Sequence, residues 1–301
     1  MTDAPSNRNS RNASRNSKGF TLIEMLTVIS IIAVICAFSL PVLKNFGKSA
    51  VNVSASRQLL DDIGHARQLA MSQRTTVYMV FVPTNFWVNN NLFGYLQSNG
   101  TTNQLLTATN LLDKQLTGYT LMAYGAMGDQ PGQHQWHYLE TWQSLPNGAF
   151  IPMWKFYNNV NPGFSFNFSD PVNANNYFNI SSFSTNTFPF PTEDVTTPTL
   201  LPYIAFNYLG QLCDFSGQLL NSQSAQNEFL DFDNDFVGGG IDIPLAAGNM
   251  MSPRDPTTHA LAIGNPVVYE MPPGNSTNIS YNVIHIDPLT GRATQEFHKM
   301  Q

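Results

Sequence analysis

The chain has 301 residues, a net charge of −6 at pH 7 and only 11% charged side chains, whereas an average soluble domain has ~25%. Aromatic residues make up 12% of the sequence. Because disordered chains combine few aromatic residues with high net charge, this composition excludes a disordered protein. It favours a β-rich secreted or surface protein with one large domain or two small ones.

The charge is distributed unevenly along the chain. Residues 1–19 contain four basic side chains and one acidic side chain, and the remaining residues contain 10 basic and 19 acidic ones. Nucleic-acid binding requires clustered Lys and Arg that neutralise phosphates, so the sequence predicts no nucleic-acid partner. The basic segment directly precedes an apolar run, an arrangement typical of membrane orientation.

The apolar run covers residues 20–40 and contains a single charged side chain, Glu24. As a helix it is long enough to span a hydrocarbon core of ~30 Å, so we predict a transmembrane helix at 20–40. No small-residue cleavage pattern ends the run, unlike in an ordinary secretory signal peptide. A cut after Gly19 would instead remove the basic leader, residues 1–19, and leave the helix on the mature protein.

Glu24 has two interpretations. A carboxylate at the centre of a bilayer costs ~2.5–3.5 kcal/mol, and less near an interface, so Glu24 either reaches the headgroup region or finds a cationic partner in an assembled state. The free α-amino group that cleavage would create at Phe20 is such a partner.

These features resemble the class III signal of type IV pilins and type II secretion pseudopilins. Lys18 precedes the motif, and Pro41 lies 22 positions past the expected cut. The motif itself reads Gly19-Phe20-Thr21-Leu22-Ile23-Glu24. The resemblance implies that a prepilin peptidase cuts after Gly19 and methylates Phe20, and that Glu24 and Pro41 serve assembly, with Glu24 aligning subunits in the filament.

The resemblance also implies partners and a location. The partners are the prepilin peptidase, other pilin or pseudopilin subunits, an inner-membrane assembly platform and membrane lipid. The protein would be a single-pass inner-membrane protein with a periplasmic C-terminal domain, later extracted into a filament.

A helical pattern continues beyond the apolar run, so we predict one helix over residues 20–74 with a bend near Pro41 or Gly47. We expect Gly64 to allow close contact between helix and sheet, and His65 to lie at the surface. The apolar stripe of the second half consists of Leu59, Ile63, Ala66 and Ala70.

Residues 75–301 are predicted to form a β-rich globular domain. The fold class is therefore α+β, with a long N-terminal transmembrane and amphipathic helix packed on a mainly antiparallel sheet that carries large loop insertions. A turn at Pro288–Gly291 joins the last two strands, and Leu145–Gly148 forms another turn of the same sheet. Predicted strands are 75–82, 118–124, 149–153, 202–208, 241–246, 266–271, 281–287 and 292–297.

The direct passage from helix to first strand and the terminal hairpin resemble the H-type (FimT-like) minor pseudopilins. Two stretches, 84–117 and 157–200, are interpreted as insertions, and the many aromatic residues of the second predict that it packs on another part of the protein. Cys36 and Cys213 are not expected to pair, because Cys36 lies inside the apolar run.

Catalytic motifs are scarce. The sequence contains no G-x-S-x-G, P-loop, H-E-x-x-H or C-x-x-C motif, and we predict no enzyme, no catalytic residues and no cofactor. His134 and His137 are either loop residues or metal ligands. The alternating carboxylates Asp231, Asp233 and Asp235 form either a solvated acidic loop or a Ca²⁺ site.

The sequence therefore predicts a structural and assembly subunit of a type II secretion pseudopilus or a type IV pilus. The alternative is a filament-tip adhesin or uptake minor pilin that binds glycans or surfaces through its aromatic, Asn-rich body.

Overall fold

A long helix, α1, runs from Leu22 to Gln73 in the computed structural model. The helix is continuous through Pro41 and Gly47, so neither residue breaks it. The chain divides into two compact units, Met1–Gly47 and Lys48–Gln301. The structure describes residues 21–88, 91–125, 129, 134–159, 165–169, 177–220, 240–277 and 282–297.

In the second unit, α1 buries the predicted apolar stripe completely. All four stripe residues and Ala55 are inaccessible to solvent, and they belong to one core with both large sheets. The expectation for Gly64 is wrong, because a Cβ atom added there would meet no atom within 4 Å. His65 is partly exposed as predicted, and its Nδ1 lies 2.7 Å from Glu140 Oε1.

Within the described ranges the strands form three antiparallel sheets, and each of the eight predicted strands overlaps an observed one. The strands are β1 (Val77–Phe81), β2 (Gly118–Tyr124), β3 (Trp136–Tyr138), β4 (Gln143–Ser144), β5 (Ala149–Phe150), β6 (Ser165–Ser169), β7 (Tyr177–Ser181), β8 (Ser184–Phe188), β9 (Thr199–Phe206), β10 (Leu212–Cys213), β11 (Ile241–Met251), β12 (Val267–Glu270), β13 (Asn282–Ile286) and β14 (Ala293–Phe297). The larger sheet has the order β10-β9-β1-β2-β3, with β4 on β2 and β8 on β9. The second has the order β12-β11-β13-β14, with β5 on β11, and the third pairs β6 with β7.

Strand β1 is buried on both faces. Val77, Met79 and Phe81 belong to the core that contains α1, whereas Tyr78 and Val80 belong to a second core on the other face. The interpretation of 84–117 as a loop insertion is wrong, because this stretch folds into the helices α2 (Leu92–Asn99) and α3 (Thr102–Leu111). Their apolar residues supply part of the second core. Every residue of β1 is buried because both faces of the sheet are covered.

The stretch 157–200 is not one long loop either, because it contains β6, β7 and β8. Its predicted packing is confirmed for Phe183, Phe188 and Phe190, which are almost fully buried. Cys36 and Cys213 are both free thiols, as expected.

Both predicted turns are confirmed, one within the C-terminal β13–β14 hairpin and the other directly before β5. Gly291 adopts φ +62° and Gly148 φ +99°, conformations that favour glycine. Arg67 of α1 ties the hairpin to the helix, since its Nε donates to the Thr290 carbonyl at 2.7 Å and to the Gly210 carbonyl at 3.2 Å. One side chain of α1 therefore donates hydrogen bonds to two turns that are far apart in the sequence, at Gly210 and Thr290.

Candidate processing and assembly site

The predicted processing site adjoins the first turn of α1. Gly19 and Phe20 lie outside the described residues, which begin at Thr21. Helix α1 starts at Leu22, and the first backbone bond of the helix runs from the Met25 N–H to the Thr21 carbonyl at 3.2 Å. The expected cut after Gly19 therefore leaves one residue, Phe20, before Thr21, which caps the helix.

Thr21 and Glu24 form a reciprocal capping box. The Thr21 N–H and hydroxyl both donate to Glu24 Oε2, at 2.8 and 2.7 Å, and the Glu24 N–H donates back to Thr21 Oγ1 at 3.3 Å. This arrangement satisfies backbone donors that would otherwise be unpaired at a helix start. It also positions a carboxylate at the positive end of the helix dipole, where negative charge is favoured.

The capping box gives Glu24 a role that the sequence analysis missed, although Thr-x-x-Glu before an apolar run is its usual signal. Only Oε2 takes part in these bonds. Among the described residues, Oε1 of Glu24 has no hydrogen-bond partner. The carboxylate is thus held in one orientation while one of its oxygens stays available to another donor.

The residues that follow Glu24 present apolar side chains on all sides. Every residue from Thr21 to Cys36 is exposed, and Leu22, Ile29 and Ile31 are each more than half exposed. Such a helix requires an apolar environment or partner helices to cover it.

The polar side chains of this segment bond within the helix. Thr27 donates to the Glu24 carbonyl at 2.9 Å, and Ser30 donates to the Leu26 carbonyl at 2.8 Å. Internal bonding of this kind is what an apolar environment demands of polar groups. The predicted transmembrane helix at 20–40 is not confirmed, because no helix in the part of the chain that the structure describes has the combination of length and apolar character needed to cross a membrane.

The remaining predicted site residues do not join this site. Pro41 lies inside α1, and Asp231, Asp233 and Asp235 lie outside the described residues. His137 is on β3, where its Nε2 lies 3.1 Å from Asp129 Oδ1. No group of three or more His, Cys, Asp or Glu side chains within the described ranges is arranged to hold a metal ion.

A buried ionisable group in the body was not predicted from the sequence. Lys155 is only 2% exposed, and its Nζ lies 4.8 Å from the centre of the Phe183 ring. Burial lowers the pKa of Lys155 to about 7, against the opposing attraction of Asp242. Asp242 itself accepts a bond from the buried His285, with 2.8 Å between Oδ1 and Nδ1.

Comparison with known proteins adds one match. Residues 14–40 match the family described as the prokaryotic N-terminal methylation motif. Neither the curated proteins nor the solved structures include a significant match to the chain.

The matched segment contains the predicted cut, the capping box and the whole apolar run. The chain therefore carries a pilin-type N-terminal signal. This signal supports a pilin-like subunit that a prepilin peptidase processes and that assembles with other pilin subunits.

Proposed function

We propose that the chain is a structural subunit of a type II secretion pseudopilus or a type IV pilus, and specifically an H-type minor pseudopilin. The observation that carries the proposal is the capped apolar helix inside the matched motif. All its described side chains up to Cys36 are exposed, which supports a covering partner outside the monomer. Neighbouring apolar helices in a filament core, or lipid before assembly, would provide that cover.

In this proposal the apolar segment first inserts into the inner membrane as a single span. The basic leader, residues 1–19, stays on the cytoplasmic side, as basic flanks do, and the body lies in the periplasm. An assembly platform in the inner membrane then extracts the subunit into the filament. The internal hydrogen bonds of Thr27 and Ser30 support this sequence of events, because they reduce the cost of an apolar environment.

Glu24 would pair with the new amino group at Phe20 of a neighbouring subunit. The capping box supports this role, because it orients the carboxylate before assembly and leaves Oε1 open. A group that is already oriented loses less entropy when it binds. The same carboxylate therefore both starts its own helix and is ready to receive a second donor.

The H-type assignment is supported by the order of elements in the body. Helix α1 ends at Gln73, and β1 begins at Val77, so only three residues separate the packed helix from the sheet. The β13–β14 hairpin follows at the other end of the chain. Because the sequence lacks recognised catalytic motifs, assembly and not catalysis is the proposed activity.

Processing is tested by the substitution Gly19→Ala in cells that express a prepilin peptidase. We expect the wild-type chain to lose residues 1–19, as measured by intact mass, and the variant to keep them. Gly47→Ala is the matched control, because it changes another glycine of the N-terminal unit and is expected to be processed normally. Loss of the leader from Gly19→Ala would contradict the proposed cut.

The role of Glu24 is tested by comparing Glu24→Gln with Glu24→Ala. Gln can accept the Thr21 bonds of a capping box but carries no charge, whereas Ala removes both. If charge pairing drives assembly, both variants are processed normally and both are missing from sheared filaments. Incorporation of Glu24→Gln at the wild-type level would refute the charge pairing and leave capping as the role of Glu24.

A further inference from the structure

A groove with aromatic walls opens beside the end of β2, within the second unit. Its cavity volume is about 740 Å³, and its walls include Tyr78, Tyr124, Trp136 and Phe215. A second cavity of about 310 Å³ shares Tyr124 and Trp136 with it and extends the groove toward Glu193. We call the two cavities together the aromatic groove. Their size is that of a small-molecule site.

Trp136 is the fixed centre of the aromatic groove. Its ring centroid lies 5.1 Å from that of Tyr124, 5.3 Å from that of Tyr78, 5.2 Å from that of Phe188 and 6.0 Å from that of Phe215. Its backbone is paired with Tyr124 across β2 and β3. Because these contacts hold the ring before any ligand arrives, binding costs little side-chain entropy.

The indole of Trp136 has an unused donor. Two other tryptophans bond through their indole N–H, Trp142 to the Pro191 carbonyl at 3.0 Å and Trp154 to the Ser276 carbonyl at 2.9 Å. The Trp136 N–H donates to none of the described residues, and it is not among their buried unpaired polar atoms. It can therefore donate to an acceptor that enters the groove.

The charges around the aromatic groove exclude anions. Neither cavity is lined by Lys or Arg, and the smaller one is lined by Glu193 and Asp194, both exposed. The smaller cavity is also lined by His134 and His137, but a phosphate or carboxylate ligand would meet the like charges of Glu193 and Asp194 with no Lys or Arg to offset them. A suitable ligand is uncharged, has an apolar face for the rings and offers hydroxyl groups for the polar rim.

We propose that the aromatic groove binds a neutral saccharide. The C–H face of a pyranose would lie on Tyr124 and Trp136. One of its hydroxyl oxygens would accept from the Trp136 N–H, and others would donate to the carboxylates. The rings and the carboxylates would also attract a Lys or Arg side chain of a peptide. Its ammonium or guanidinium group, however, offers no acceptor to the indole N–H of Trp136.

The experiment is saturation-transfer NMR on the full chain with lactose, cellobiose, maltose and chitobiose as separate probes. The chain is kept in a polyoxyethylene ether detergent, which carries neither sugar nor charge. We expect transfer to the ring protons of at least one disaccharide. Tyr124→Ala should weaken this binding about tenfold, and Trp136→Phe, which keeps a ring but removes the N–H, should weaken it several-fold.

Tyr269→Ala is the matched control, because Tyr269 on β12 is 57% exposed and Tyr124 is 48% exposed. Circular dichroism of each variant checks that the fold is retained, and Trp136→Phe provides the test if Tyr124→Ala fails to fold. No transfer to any of the four disaccharides would overturn the proposal. Equal weakening of sugar binding by Tyr124→Ala and Tyr269→Ala would overturn it as well. So would sugar binding at the wild-type level in both Tyr124→Ala and Trp136→Phe. Binding of an arginine tripeptide without any sugar binding would assign the groove to cationic peptides instead.

Discussion

Replacing the buried Lys155 by Met is expected to stabilise the body at neutral and lower pH. Each pKa unit corresponds to about 1.4 kcal/mol. Lowering the pKa of Lys155 from 10.5 to about 7 therefore means that burial opposes the charged form by roughly 5 kcal/mol. Met has a similar length, stays apolar at every pH and keeps the contact with Phe183, so it avoids this cost.

The sign of the pH dependence follows from proton counting. Between pH 7 and 10.5 the unfolded chain keeps the proton on Lys155, while the folded chain has released it. The unfolded state then binds more protons, so the free energy of unfolding rises with pH across this window. Below pH 7 both states are protonated and the full cost of burial applies.

The assay is urea unfolding of the wild type and Lys155→Met, followed by far-UV circular dichroism, at about pH 6.5 and about pH 9.5. The variant should be more stable by a few kcal/mol at the lower pH and should lose most of this advantage at the higher pH. Lys114→Met is the control, because Lys114 is less buried and its pKa is also lowered by burial, which predicts a weaker dependence of the difference on pH. A difference between wild type and Lys155→Met that does not vary with pH would refute the reasoning.

Two glycine substitutions should have opposite effects on stability. Gly291→Ala should lower the free energy of unfolding by more than about 2 kcal/mol, since φ is +62° and the new Cβ would lie 2.0 Å from the Gly210 carbonyl oxygen; a urea midpoint equal to the wild type would contradict this. Gly64→Ala should raise the free energy of unfolding by up to ~1 kcal/mol, because the new Cβ meets nothing within 4 Å. A lower midpoint for Gly64→Ala would mean that α1 packs more tightly there than the structure indicates.

The helix and most strands were predictable because their patterns are local. The apolar residues of the α1 stripe recur every three or four positions, which places them on one face of a helix. The last turn is indicated by its own residues, Pro288 and Gly291. The burial of β1 on both of its faces was not predicted, although Val77–Phe81 is apolar throughout. The covering helices were hidden in a stretch rich in Asn and Thr, where Thr101 and Gln104 form a capping box that a search for Thr-x-x-Gln would have found.

Some features of the candidate sites could likewise be predicted from the sequence, and others could not. The cut, the apolar run and Glu24 could be predicted because all lie within one short segment, and the match to residues 14–40 falls on that segment. Lys155 and Trp136 could not, because their surroundings come from distant parts of the chain. Burial lowers the pKa of Lys155 and Asp242 opposes this shift, while Phe183 lies beside its ammonium group. Tyr78 and Phe215 surround Trp136. No local pattern encodes such neighbours.

The bond between Arg67 and the Thr290 carbonyl has a consequence for the timing of folding. A second bond joins Gln295 Nε2 to Ser56 Oγ at 3.1 Å, so the helix is fastened to the last hairpin at two places. Contacts between residues so far apart in sequence form slowly, because a long loop must close first. The body therefore cannot reach its final packing until nearly the whole chain has been synthesised and delivered, and until then the part of the core that the last hairpin completes stays open.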